Sequence, residues 1–238
     1  MTIWVPVFAA VFALPTMMLR RKQYEMSCLW MFLILGVYIV FGVLGAVFGS
    51  FIAYGSFSGI RLYGLMMLEI ASVFLTARWK KITPEMAGDY MATPLICACF
   101  GAKILCLIHD CCRGFILYQQ EGQNPVRFPS VIMEMTMWAA VAAALLVFEK
   151  KKTVTGLLYP IMVIWFGILR YIADFFRGAS FEQEPFLLWI PAGRFWSLVV
   201  LAIGFALLYY FMRKQLERKP TVKEMLRVCI GKSPVAAQ

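Results

Sequence analysis

Runs of apolar residues almost free of charge recur along the whole chain, at about 3–19, 28–54, 62–77, 90–108, 131–148, 154–176 and 186–212. A helix needs about 20 apolar residues to cross roughly 30 Å of hydrocarbon, so most of these runs are long enough to span a bilayer and the third is short for it. None alternates as a barrel strand does, and backbone polar groups in lipid must be satisfied within the segment itself. The pattern predicts an all-α integral membrane protein, a bundle of about seven transmembrane helices. Six is the alternative if 62–77 is re-entrant, and 28–54 is long enough to hold a span plus a bent end.

Composition agrees: 62% of the 238 residues are hydrophobic, and the mean hydropathy is +0.76. Charge then orients the bundle. Basic clusters follow every second run: Arg20, Arg21 and Lys22; Arg78, Lys80 and Lys81; Lys150, Lys151 and Lys152; and Arg213, Lys214, Arg218, Lys219, Lys223, Arg227 and Lys232. Of the 23 basic residues only Arg61, Lys103, Arg113, Arg127, Arg170, Arg177 and Arg194 lie elsewhere. The excess of Lys and Arg on cytoplasmic loops puts the N-terminus outside and the C-terminus in the cytoplasm. Residues 1–212 then form one transmembrane domain, and 213–238 a basic cytoplasmic tail suited to anionic headgroups.

This topology accounts for most of the formal net charge of +10. Nothing supplies a stacking platform or groove element, so no nucleic-acid partner is expected. Charges follow the first apolar run rather than precede it, which does not fit a signal peptide. The seven cysteines have no disulfide-framework or zinc spacing. Most read as small apolar residues, Cys111-Cys112 as small loop side chains, and no metal set or cofactor is expected.

Charge inside the runs is the informative exception. Lys103 lies in the fourth run and Glu134 in the fifth, Arg170, Asp174 and Arg177 fall on one face of the sixth, and Arg194 lies in the seventh. Alternating topology brings all of them to the outer half of the bilayer. Ionisable groups at that depth are costly unless they pair or line a wet cavity. One reading is a polar cavity for an anionic lipid headgroup, since a guanidinium fork binds phosphate and stays charged. The other is structural: Arg177 and Arg194 snorkel to the interface, and Arg170 pairs with Asp174 one turn away.

The order of short motifs adds to this. Pro129-Ser130 followed by Glu134, then Gly156-Leu157, Phe166-Gly167-Ile168-Leu169-Arg170 and Asp174-Phe175-Phe176-Arg177 resemble the prolipoprotein diacylglyceryl transferase family. There the matching elements read His-Pro-Ser-Gln-x-Tyr-Glu, Gly-Leu and Tyr-Gly-x-x-Arg-x-x-x-Glu-Phe-x-Arg. Asp89-Tyr90-Met91-Ala92-Thr93-Pro94-Leu95 is similar to the family's Asp-Phe-Ile-Ala-Pro run. Gly101 through Gly114 is similar to its Gly-Arg-x-x-Asn-x-x-Asn-Gly-Glu-x-x-Gly signature.

The resemblance covers about 59–212 and implies a multi-pass protein of a bacterial plasma membrane. Its partners would be phosphatidylglycerol and prolipoprotein signal peptides. The diacylglyceryl group would pass to a cysteine thiol as a thioether, releasing glycerol 1-phosphate. Arg170 and Lys103 would neutralise the departing phosphate. Tyr63, where the family has a His, would serve as a hydrogen-bond donor, because a phenol with a pKa near about 10 is a poor base at neutral pH. Glu134, Arg177, Asp174, Gly114 and Arg194 would bind substrate.

The departures from the family pattern are specific. Lys103 replaces its Arg, Cys106 an Asn and Cys111 a Glu, Phe128 stands for the His before Pro-Ser, and Asp174 shortens a Glu. No Arg follows the glycines of the second run. His109, the chain's sole histidine, reads as an interface residue. A diverged transferase and a non-catalytic protein binding anionic lipid on the same bundle both fit, with a transporter as a weaker third reading.

Overall fold

In the computed structural model, residues 4–54, 62–110, 112–120, 122, 124–178, 185–187 and 190–234 are described. Among them the chain forms α1 (Trp4–Arg20), α2 (Cys28–Tyr54), α3 (Leu62–Lys80), α4 (Pro84–His109), α5 (Ser130–Lys151), α6 (Leu158–Phe175), α7 (Ala192–Leu216) and a short α8 (Val222–Cys229). Two small antiparallel hairpins interrupt the helices: β1 (Ile116–Tyr118) with β2 (Val126–Arg127), and β3 (Pro185–Leu187) with β4 (Ile190–Pro191).

Each apolar run corresponds to one helix. Among the described residues, five segments are long and apolar enough to cross a membrane: Cys28–Gly49, Pro84–His109, Ser130–Lys151, Leu158–Phe175 and Ala192–Leu216. α1 is apolar but has only 17 residues, and the 19 residues of α3 include Glu69, Arg78 and Lys80. Boundaries move where local chemistry outweighs hydropathy. α4 starts at Pro84 because Thr83 caps it, accepting from the Met86 amide. α7 starts only at Ala192, after the β3–β4 hairpin takes up the front of the last run.

α4 is the central helix, packed against α1, α3, α5 and α6, while α2 pairs with α3 and α6 with α7. Without a hydrophobic drive between helices in lipid, close approach of small residues holds such pairs together. The α2–α3 crossing depends on glycine: a Cβ on Gly64 would lie 2.0 Å from the Gly45 carbonyl oxygen. That contact sets where the first turn of α3, and with it Tyr63, meets the rest of the bundle.

The loops bearing the basic clusters gather at one end. Arg20 donates to Glu149 at 2.7 and 2.9 Å, to the Asp89 carbonyl at 2.7 Å, and to the carbonyl of Tyr90. Lys80 donates to the Glu25 carbonyl at 3.3 Å, and Lys214 reaches Glu85 at 2.7 Å. At this end the buried Asp89 carboxylate accepts from the amides of Gly156 and Leu158, capping α6 from another helix. Gly156 adopts φ 82° there, the left-handed region glycine enters freely.

Candidate active site

At the opposite end, three cations converge on Glu134, one turn into α5. Lys103 Nζ from α4 is 2.7 Å from Oε2, Arg170 Nη1 from α6 is 3.0 Å from the same oxygen, and Arg177 Nη2 is 2.8 Å from Oε1. Arg177 adds a second bond through Nε at 3.0 Å. Glu134 and Arg170 are each only 1% exposed. A carboxylate with two oxygens accepts several bonds at once, so one acid can orient three cations from different elements.

Tyr63 completes the cluster from α3. Its hydroxyl accepts from Arg170 Nη2 at 3.2 Å and shares a 3.3 Å hydrogen bond with Ser197 of α7. The guanidinium also lies over the Tyr63 ring, 5.3 Å from its centroid. Ser197 in turn donates to the Gly193 carbonyl at 2.8 Å. Arg170 is thereby fixed on both sides, and its planar fork cannot swing towards lipid.

Asp174 sits at the start of α7. Arg194 Nε is 3.4 Å from its Oδ2, and a Cβ on Gly193 would lie 2.4 Å from Oδ1. A carboxylate at a helix N-terminus is favoured by the exposed amides and dipole. Arg194 stacks 3.9 Å over the Phe175 ring. Neither Arg177 nor Arg194 is therefore a snorkelling side chain, as one sequence reading has it. Each bends inward to a carboxylate, because a buried acid outcompetes the interface as a partner for the guanidinium.

Loops at this end hold Arg177 in place. Gly114 forms an antiparallel bridge with Arg177, Phe115 N donates to the Phe176 carbonyl at 3.3 Å, and Gly178 N to the Arg113 carbonyl at 2.9 Å. A Cβ on Gly114 would lie 2.0 Å from the Phe128 carbonyl oxygen, so only glycine fits. Phe128 stacks on Phe115 with centroids 5.4 Å apart and leans on Phe176 at 5.0 Å. The position where the resemblance puts a His thus serves packing.

A family-level sequence profile described as prolipoprotein diacylglyceryl transferase matches residues 3–210. The chain belongs to the prolipoprotein diacylglyceryl transferase family. Proteins named phosphatidylglycerol–prolipoprotein diacylglyceryl transferase are similar to it at low identity. The one from Helicobacter pylori (strain G27) is 24% identical over 224 residues, covering 82% of this chain and 78% of the relative. That from Ehrlichia ruminantium (strain Welgevonden) is 29% identical over 101 residues, 40% of this chain and 39% of the relative. One from Acidiphilium cryptum (strain JF-5) is 22% identical over 173 residues, 66% and 63%. The match to the Ehrlichia protein therefore spans about two fifths of that relative's length.

Against the family pattern, the structure brings together Lys103, Glu134, Arg170, Arg177 and Tyr63, and puts Gly114 behind Arg177 and Asp174 with Arg194 beside the cluster. His109 ends α4 exposed. Three residues here went unremarked or misread in the sequence. Ser197 looks like any small helix residue. Cys112 reads as a loop side chain, yet its Sγ lies 3.8 Å from Lys103 Nζ, because the left-handed turn at Asp110 folds the chain back over α4. Glu69, 2% exposed and accepting from Ser72 Oγ at 2.9 Å, is a buried acid in the middle of α3 that its apolar surroundings already advertise. Cys111, which stands where the family has a Glu, and 180–184 lie outside the described residues.

Proposed function

We propose that this protein is a bacterial plasma-membrane transferase that moves the diacylglyceryl group of phosphatidylglycerol onto a prolipoprotein cysteine thiol. The carrying observation is the convergence of Lys103, Arg170 and Arg177 on one buried carboxylate. Lys103, Arg170, Arg177 and Arg194 exceed Glu134 and Asp174 by two charges, and a low-dielectric site with that excess favours an anion such as a phosphodiester. In the reaction the acceptor sulfur forms a bond to the glyceryl carbon as the carbon–oxygen bond to phosphate breaks. Glycerol 1-phosphate leaves with the electron pair, and the thiol proton is lost.

Arg170 and Lys103 face the charge that grows on the leaving phosphate, Arg177 and Arg194 hold the headgroup, and Glu134 keeps the cations in register. Preorganised donors of this kind stabilise the transition state because they need no reorganisation as charge develops. Tyr63, aligned by Arg170 and Ser197, offers a hydroxyl but no base. We place the N-terminus outside, the basic tail in the cytoplasm, and seven helices across the bilayer, so the cluster opens to the outer leaflet.

A second reading, an anionic-lipid-binding protein without turnover, draws on Phe128, a packing residue where a base would be useful. Complementation of a strain depleted of its own diacylglyceryl transferase, with lipoprotein lipidation read by mass spectrometry, separates the two. Restored lipidation supports the transferase. Well-expressed, folded protein that retains phosphatidylglycerol through purification but restores none supports the binding protein.

A further inference from the structure

Lys103 and Cys106 are three residues apart near the end of α4 and share a helix face. The Asp110 amide donates to the Cys106 carbonyl as Asp110 turns left-handed at φ 48°, and the chain doubles back. Ser130 Oγ then pins the returning strand through the Cys112 carbonyl at 2.7 Å. The result puts Cys112 Sγ 3.8 Å from Lys103 Nζ, with the Cys106 thiol hydrogen-bonded to it. Both residues are partly exposed, unlike the buried Cys99.

We propose that Cys112 and Cys106 form a thiol–disulfide exchange site beside Lys103, Cys112 attacking and Cys106 resolving, with an accessible disulfide as substrate. Environment supports the assignment of roles. The hydrogen bond from Cys106 does most to stabilise the Cys112 thiolate, Lys103 and Arg177 add to it against burial and Glu134, and the thiol is lowered to about 5. Thiolate, not thiol, is the nucleophile.

The Cys112 thiolate attacks one sulfur of RS–SR, and the released RS⁻ takes up a proton. Cys106, losing its proton, then attacks Cys112 Sγ in the mixed disulfide and expels the second thiol. Two electrons pass from the dithiol to the substrate, leaving a Cys106–Cys112 disulfide and two RSH. None of these steps requires diacylglyceryl transfer.

The test uses the reduced, purified full chain at pH 6 with oxidised glutathione, followed by peptide mass spectrometry. Wild type should yield a Cys106–Cys112 cross-link and retain no glutathione. Cys106→Ser should trap glutathione on Cys112, and Cys112→Ser should leave Cys106 unmodified. A chain that stays reduced, glutathione retained by wild type, modification of Cys106 in Cys112→Ser, or a cross-link through Cys111 would each overturn the proposal. Alkylation of Cys112 by iodoacetamide checks the unmodified chain independently of any variant. Its rate should change less than twofold between pH 6 and 8, whereas an ordinary thiol with pKa ~8.5 slows by roughly 80-fold, and that slower result would also overturn it.

Discussion

Glu134 is the residue on which the candidate site turns. It is buried with three cations bonded to it, and removing the shared acid leaves like charges facing one another in low dielectric. Glu134→Ala should lower stability by about 3–5 kcal/mol, the range for breaking a buried pair from one side. A thermal melt in detergent that moves by less than a degree would contradict this. Arg170→Ala should reduce phosphatidylglycerol-dependent lipidation by about 100- to 1000-fold, the loss typical of one transition-state donor. Arg170→Lys should restore little of it, since an ammonium cannot bridge Glu134 and Tyr63 as the fork does. The measurement is initial lipidation rate at matched amounts of folded protein, and wild-type rates in Arg170→Ala would remove Arg170 from the phosphate site.

At the scale of elements, two joints carry the site. Gly64 and Gly45 let α3 close on α2, and Gly64→Ala forces a methyl against a carbonyl. Overpacking of this kind typically costs about 1–3 kcal/mol, and here it also moves Tyr63, the adjacent residue. The expected result is a lower melting midpoint with a loss of activity greater than that of Tyr63→Phe, which deletes only a hydroxyl. At the other joint, the Asp89 carboxylate caps α6 through Gly156 and Leu158. Asp89→Ala should destabilise by about 0.5–2 kcal/mol, as loss of a helix cap does, with Asp89→Asn recovering part through its remaining oxygen. Equal melting midpoints for all three proteins would show that α6 starts without this cap.

For the whole molecule, the decisive property is which end faces which compartment. Basic loops joined by Arg20–Glu149, Lys214–Glu85 and Lys80–Glu25 share one end, and the Glu134 cluster marks the other. Single cysteines placed on a cysteine-free background should label from outside between 113 and 127, and at 150–152 only after permeabilisation. The reverse pattern would turn the cluster towards the cytoplasm and separate it from the outer leaflet.

Much of this architecture was legible in the chain. Hydropathy marks every long helix, because lipid demands internally bonded apolar segments wherever they cross. The placement of Lys103, Glu134 and Arg170 near one depth followed from counting along alternating spans. What pairs with what did not follow. Arg177 reads as a snorkelling end residue, yet it turns in to Glu134, and Asp174, one turn from Arg170, also meets Arg194 at the start of α7. Sequence spacing sets which face of its own helix a residue occupies. Only packing between helices, here the glycine crossing of α2 and α3 and the loop knit around Gly114, decides which faces meet. The same limit hid Cys112: a left-handed turn at Asp110 carries it back over Lys103, and no pattern of apolar and polar positions encodes where a turned loop will land.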